Sequence, residues 1–390
     1  MPFEFRAPGR LIFGEGAFNG VGEAVAEFGQ KALVVTGRHA MQATGQLDRA
    51  RGLLQQAGVA TVVFSEVLSN PAVEMAQRGA EVARGERCDV VLGLGGGSSM
   101  DAAKAIAIGA AHERPLRDFM VAADGKPAQA TADTLPVICA TSTAGTASEL
   151  TPFAVLTIAD IVQKSAIRSP YIQPRVAIDD PELTYSASPD ITAATGIDVL
   201  CHAMEAFISN SAAPITDLMA QEAIRLAGQY LPRAHRDGHD VEARRQMMLA
   251  NVYAGYGLAC CGATVMHGME HPVSAYHPQV AHGAGLAALI PAWAQTVWPQ
   301  MPERFARVAE LLGRDVSALT AEQAAGEARA ALVELLQSVG LHVRLREFGV
   351  KQGQLGQMAQ DTCRYMGVTV QKTPGVPTCD EIRQLLEAAY

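Results

Sequence analysis

The stretch Met266–Gly283 reads MHGMEHPVSAYHPQVAHG and holds His267, His271, His277 and His282, four of the chain's ten histidines. Imidazole is the commonest protein ligand for metals, so this concentration points to a cation. Upstream, Thr195–Ser209 reads TGIDVLCHAMEAFIS. Ile197, Leu200, Cys201, Met204, Phe207 and Ile208 recur there at helical spacing. Asp198 and His202, four residues apart, then stand one above the other on a neighbouring face. Such a pair can be half of a metal site, although taken alone it reads first as an ordinary helix-surface pair. Two of the four downstream histidines would complete an Asp/His3 set, and spacing does not say which two. His267 and His271 are also four apart, with Pro272 directly after them to kink a helix. One hard oxygen with borderline nitrogens suits Fe2+ or Zn2+, and accepts Mn2+. A catalytic site keeps one coordination position for substrate.

A second kind of chemistry lies nearer the N-terminus. GLGGGSSMDAAK, Gly93–Lys104, follows an apolar run and opens a helical pattern. Glycines allow a close ligand approach, and N–H groups at a helix start favour phosphate. The stretch is neither a Walker A loop nor a strict G-x-G-x-x-G, and a bare strand-to-helix turn would look the same. ATSTAGTASE, Ala140–Glu149, follows the next apolar run with Thr141, Ser142, Thr143, Thr146 and Ser148. Two loops of small polar residues at neighbouring strand ends suit a nucleotide crevice. An NAD site ordinarily has an acid after the second strand, to bond the ribose 2′-OH. Gly37-Arg38-His39 stands there instead. Glycine leaves room, and Arg38 or His39 can meet a 2′-phosphate, so the expectation is NADP(H) over NAD(H).

These groups need elements to hold them. KALVVTG (31–37), ATVVFSEV (60–67), DVVLGLGGGS (89–98), LPVICATST (135–143) and one short run within 171–183 read as strands separated by helices. That order implies βαβ units and a parallel sheet. After Ser188, whose Ser-Pro-Asp opens a helix, helical patterns dominate at 215–232, 241–260, 303–313 and 321–339. Thr378 and Glu381 form a capping box for a last helix. The division is therefore an α/β nucleotide-binding domain at 1–185 and an all-helical domain at 186–390.

The whole chain agrees with this plan. Its 390 residues suit two or three domains. A formal net charge of −9 argues against nucleic acid as a partner. No run of 18 apolar residues suggests a membrane span, and MPFEFRAPGRLIFGEGAF lacks a signal-peptide pattern. Seven scattered cysteines without a CxxC pair read as reduced, buried thiols of a cytoplasmic protein.

GGGSSMDAAK, TSTAGTASE, DVLCHAMEAF and HGMEHPVSAYHPQVAHG stand in the order and spacing of iron-containing (group III) alcohol dehydrogenases, together with FGEGA and DPEL. The resemblance covers nearly the whole chain. It implies a Rossmann-like parallel-sheet domain followed by a helical metal-binding domain, the fold shared with dehydroquinate synthase. It also implies Asp198, His202, His267 and His282 as metal ligands, and His271 as a non-ligand beside nicotinamide and substrate. It leaves His277 peripheral; the segment from His271 to His282 is one residue longer than in many members. Gly96, Gly97, Ser98, Asp101, Thr141, Ser142, Thr146, Ser148 and Lys164 match cofactor positions. Members pair, so a homodimer or higher oligomer is expected.

The activity so implied is hydride transfer between NAD(P)(H) and a short- or medium-chain alcohol or aldehyde, with Fe2+ or Zn2+ as Lewis acid on the substrate oxygen. Within the fold, a maleylacetate reductase or a functionalised-aldehyde reductase is the alternative. A lyase like dehydroquinate synthase needs several basic residues to grip phosphate and carboxylate. VLCHAMEAFIS and MHGMEHPVSAY supply none.

Overall fold

The computed structural model describes residues 9–121 and 126–390. The first eight residues, on which the expectation of no leader partly rests, lie outside them. The chain forms two compact units, divided between Ala187 and Ser188.

In the first unit the strands are β1 (Arg10–Phe13), β2 (Lys31–Gly37), β3 (Ala60–Val67), β4 (Val90–Gly95), β5 (Val137–Thr141), β6 (Phe153–Ile158), β7 (Gln163–Arg168) and β8 (Val176–Asp179). Six form one parallel sheet in the order β1-β8-β5-β4-β2-β3. Alternate residues of the central strands β2, β4 and β5 enter opposite cores. Ala32, Val34, Val90, Leu92, Ile138 and Ile178 pack under α1 (Val21–Ala26), α2 (Ala40–Ala43) and α3 (Gln46–Gln56). Leu33, Val35, Val91, Val137 and Cys139 pack under α4 (Val73–Gly85) and α5 (Gly97–Ala111). Burial on both faces is why these strands read as continuous apolar runs. Burial also pushes the Cys139 thiol up to about 12.

The sheet order reverses between β2 and β4, the kind of switch point where ligands meet α/β sheets. Val35 pairs with Gly93, so Gly37 and Gly95 end their strands level with one another.

Each anticipated strand is present. The short β1 and an antiparallel β6–β7 hairpin were not anticipated. The hairpin turns through Ala159–Val162 without glycine or proline, and Val162 takes the left-handed φ of 49° that such turns usually give to glycine.

The second unit holds α6 (Pro189–Ile208), α7 (Pro214–Arg236), α8 (Val241–Cys261), α9 (Val265–Tyr276), α10 (His282–Val297), α11 (Pro302–Leu311), α12 (Ala321–Ser338), α13 (Leu355–Tyr365), α14 (Gly367–Gln371) and α15 (Cys379–Ala389). Ser188 Oγ accepts from Ile191 N at 3.3 Å, as a cap should. Thr378 and Glu381 form the anticipated capping box. Pro272 lies inside α9, which runs on to Tyr276.

Two expectations need correction. By length and hydropathy α6 is able to cross a membrane, yet 89% of its most apolar window is buried within the fold, as in a core helix. It is buried on nearly every face and not on the single apolar stripe read from the sequence. Cys363 and Cys379 are not free thiols: they form a disulfide between α13 and α15, with Cα atoms 6.1 Å apart. Sequence spacing cannot show that two helix positions 16 residues apart come within bridging distance.

Candidate metal centre and nucleotide loops

Three helices build the histidine cluster. α6 carries Asp198 and His202 one turn apart, α9 carries His267, and α10 begins at His282. The start of α10 lies hard against α6. A Cβ added at Gly283 would fall 1.8 Å from Ala194 O, so only glycine lets His282 approach Asp198, one turn further along. Asp198 Oδ1 is 3.5 Å from His202 Nε2, 3.4 Å from His267 Nε2 and 3.8 Å from His282 Nε2. Donors around one tetrahedral ion at about 2.1 Å stand about 3.4 Å apart. Asp198 Oδ1 and His267 Nε2 are buried and lack a hydrogen-bond partner. Buried polar atoms are rarely left so; a cation is what both lack, so the donor set fits the metal.

The far nitrogens of two rings are held by carboxylates. His267 Nδ1 bonds Glu205 on α6, and His282 Nδ1 bonds Glu270 on α9. Thr264 steadies Glu205 through its N–H at 2.9 Å and its hydroxyl, and Ser274 Oγ donates to Glu270. Sequence reasoning missed all four residues. The sequence offers only an oblique signal: each glutamate follows a candidate ligand by three residues, His202 to Glu205 and His267 to Glu270, inside otherwise apolar runs, yet its partner is a different histidine.

The electrostatics favour a cation. Burial disfavours charge on Asp198, but His202, His282 and His267 outweigh it and hold its carboxyl well below the usual range. Burial lowers His202 to about 4 against the pull of Asp198. Burial also opposes charge on His267, yet Glu205 and Asp198 prevail and raise it to about 10. A proton and a divalent ion therefore compete for His267. The His271 ring stands 5.9 Å from that of His282, whereas His277 turns to Gln354 Oε1 at 3.1 Å.

In the first unit the two small-residue loops lie against each other. Ser142 N donates to Gly95 O at 3.0 Å. A Cβ at Gly97 would come within 2.4 Å of Thr146, so glycine is required there. Gly96 precedes α5, no side chain caps that helix, and no acid lies in its first turn, Gly97 and Ser98 included. Thr141 is buried and bonds Thr143 O at 2.9 Å. Asp101 and Ser148 are committed to each other: Ser148 Oγ donates to Asp101 Oδ1 at 2.6 Å. Lys104, fully buried, donates to Ser148 Oγ at 2.7 Å and to Phe153 O at 2.6 Å. Asp101 Oδ2 accepts from Val155 N at 3.1 Å. This network ties α5 to β6. Lys164 is buried on β7 opposite Thr157. Gly37 is half-buried at the end of β2 and Arg38 is exposed.

A parallel α/β unit with a glycine-rich turn, joined in one chain to a helical unit with a buried Asp/His3 cluster, defines a metal- and dinucleotide-dependent oxidoreductase. The chain belongs to the iron-containing alcohol dehydrogenase family: the family's own model matches residues 8–181, and its C-terminal model matches residues 192–390. It is 34% identical over 387 residues to the NAD-dependent methanol dehydrogenase of Bacillus methanolicus, covering 99% of both chains. It is 36% identical over 366 residues to the 1,3-propanediol dehydrogenase of Klebsiella pneumoniae, covering 92% of both. Among solved structures, an archaeal halo-thermophilic alcohol dehydrogenase from a Red Sea brine pool, ADH/D1, superposes with a TM-score of 0.97 at 35% identity, over 100% of this chain and 99% of that one.

Proposed function

We propose that the protein is a metal-dependent dehydrogenase moving a hydride between NADP(H) and a short- or medium-chain alcohol or aldehyde. One observation carries the reading: three imidazole Nε2 atoms surround a buried, otherwise unpartnered carboxylate oxygen of Asp198. Asp198, His202, His267 and His282 would hold the ion, Fe2+ or alternatively Zn2+. Bound there, the metal supplies Lewis acidity toward the substrate oxygen, and the nicotinamide supplies the hydride chemistry. His271, close to His282, is the candidate to give or take the proton on that oxygen.

Gly96, Gly97 and Ser98, at the uncapped start of α5, would receive the pyrophosphate on their N–H groups. Thr141, Ser142 and Thr146 would line the cofactor's path, with Lys164 toward the ribose. Asp101 and Ser148 serve them by fixing α5 through Lys104. The preference for NADP(H) rests on the end of β2. A Cβ at Gly37 would meet nothing closer than Val67 O at 3.7 Å, so packing does not demand the glycine. The room left there and the exposed Arg38 suit a 2′-phosphate, in contrast with the methanol dehydrogenase relative, which is named NAD-dependent.

The relatives' names, methanol and 1,3-propanediol, support a small alcohol or its aldehyde. A cytoplasmic homodimer or higher oligomer completes the proposal. The test is metal analysis of anaerobically purified protein, followed by an aldehyde and alcohol panel with both cofactors. Stoichiometric iron or zinc with NADPH-linked turnover is expected. Metal-loaded protein that turns over no NAD(P)H with any alcohol or aldehyde would overturn it.

A further inference from the structure

His282 is the most exposed residue of the donor cluster, with 23% of its side chain accessible against 3–6% for Asp198, His202 and His267. It is also the first residue of its helix, so no preceding turn packs against its ring. A ring in that position needs an external hold if its Nε2 is to point steadily at one place. Glu270 provides one. It is fully buried, and its two oxygens divide the work: Oε2 meets His282 Nδ1 and Oε1 accepts from Ser274 Oγ. A buried carboxylate is costly unless it is paired, which argues that the pairing is why it is there. The neighbouring helix makes room for it. A Cβ at Gly285 would stand 3.0 Å from Glu270 Oε1 and 3.1 Å from its Cγ. His267 has the same arrangement with Glu205 and Thr264, so the device occurs twice in one cluster.

We propose that Glu270, propped by Ser274 and seated in the space left by Gly285, is a positioning residue that keeps the proton of His282 on Nδ1 and turns Nε2 toward the cation. The inference rests on the metal reading of the Asp198 cluster. Carboxylate partners of this kind orient ligand imidazoles and raise their basicity.

The experiment is the Co2+ dissociation constant of the full-length apo-protein, measured by chelator competition and followed by the visible Co2+ absorption band. Glu270→Met keeps the volume and removes the acceptor; it should weaken Co2+ binding by about 10- to 100-fold and shift the band. Glu270→Gln keeps an acceptor and should recover part of the loss, which a mere packing role would not predict. Ser274→Ala and Gly285→Ala leave the glutamate in place and should weaken binding in the same direction; they keep the test alive if Glu270→Met does not fold. Equal affinity in the Met and Gln variants and the wild type would overturn the inference. So would loss in Glu270→Gln as complete as in His282→Ala, because Glu270 would then be a ligand itself. Wild-type protein that binds no Co2+ overturns the metal reading instead, and this inference with it.

Discussion

Asp198 Oδ1 lies 3.4 Å from His267 Nε2, both buried and both without a hydrogen-bond partner. Two electron-rich atoms, left so by helices that fix everything around them, are prepared for a cation between them. Replacing His267 with alanine removes one of them and should abolish metal binding and activity together. Removal also strands the Glu205 carboxylate, so thermal stability should drop by about 3–5 kcal/mol, the usual cost of a buried charge losing its partner. Metal analysis beside a melting curve checks both effects. Full metal content in the variant would sink the ligand assignment.

Gly283 makes a second, purely steric prediction. Its missing side chain lets α10 approach to where a Cβ would overlap Ala194 O at 1.8 Å. Backbone on both sides cannot yield as a flexible side chain would. Gly283→Ala should therefore cost about 1–3 kcal/mol and push His282 away from Asp198. Chemical unfolding gives the first quantity and metal affinity the second. A variant that melts and binds metal like the parent would show that α10 moves freely.

The cofactor end can be tested at Gly37. A Cβ there would come no closer than 3.7 Å to Val67 O, so Gly37→Asp should fold normally. Its carboxylate would repel a 2′-phosphate and accept the ribose 2′-hydroxyl of NAD. The ratio of kcat/KM for NADPH over NADH should fall by about tenfold or more, as expected when roughly 1.4 kcal/mol of discrimination is lost. An unchanged ratio would separate the end of β2 from cofactor choice.

Much of this was legible in the sequence where burial leaves a simple record. β2, β4, β5 and β8 could be found because strands covered on both faces demand unbroken apolar runs, and β3, half-exposed at the sheet edge, through its valines and Phe64. Asp198 and His202 could be paired because helix geometry fixes what lies one turn away. The β6–β7 hairpin was hidden because Ala159–Val162 carries no glycine or proline and forces Val162 to a left-handed φ. Glu205 and Glu270 were hidden for a different reason. A glutamate in a helix usually faces solvent, and only the tertiary approach of His267 and His282 shows that these two face inward. The Cys363–Cys379 bridge depends in the same way on how α13 meets α15.

Asp179, at the end of β8, gives a prediction about pH. It is fully buried, and neither of its side-chain oxygens has a hydrogen-bond partner. Burial first, and then the charge of Glu149, raises its pKa well above the usual carboxylate range. The folded protein therefore keeps Asp179 neutral at pH values where the unfolded chain has already ionised it. Across that window the folded state binds the extra proton, so stability falls as pH rises from the ordinary aspartate pKa toward the raised one. The slope is about 1.4 kcal/mol per pH unit for a single group. Asp179→Asn cannot ionise and should remove that slope. Relative to wild type, the variant should gain stability steadily between about pH 4 and the raised pKa, and then hold that gain. Urea unfolding of both proteins across that range measures the difference. Parallel profiles would mean that Asp179 titrates alike in the folded and unfolded states, and that water or another group reaches it inside the fold.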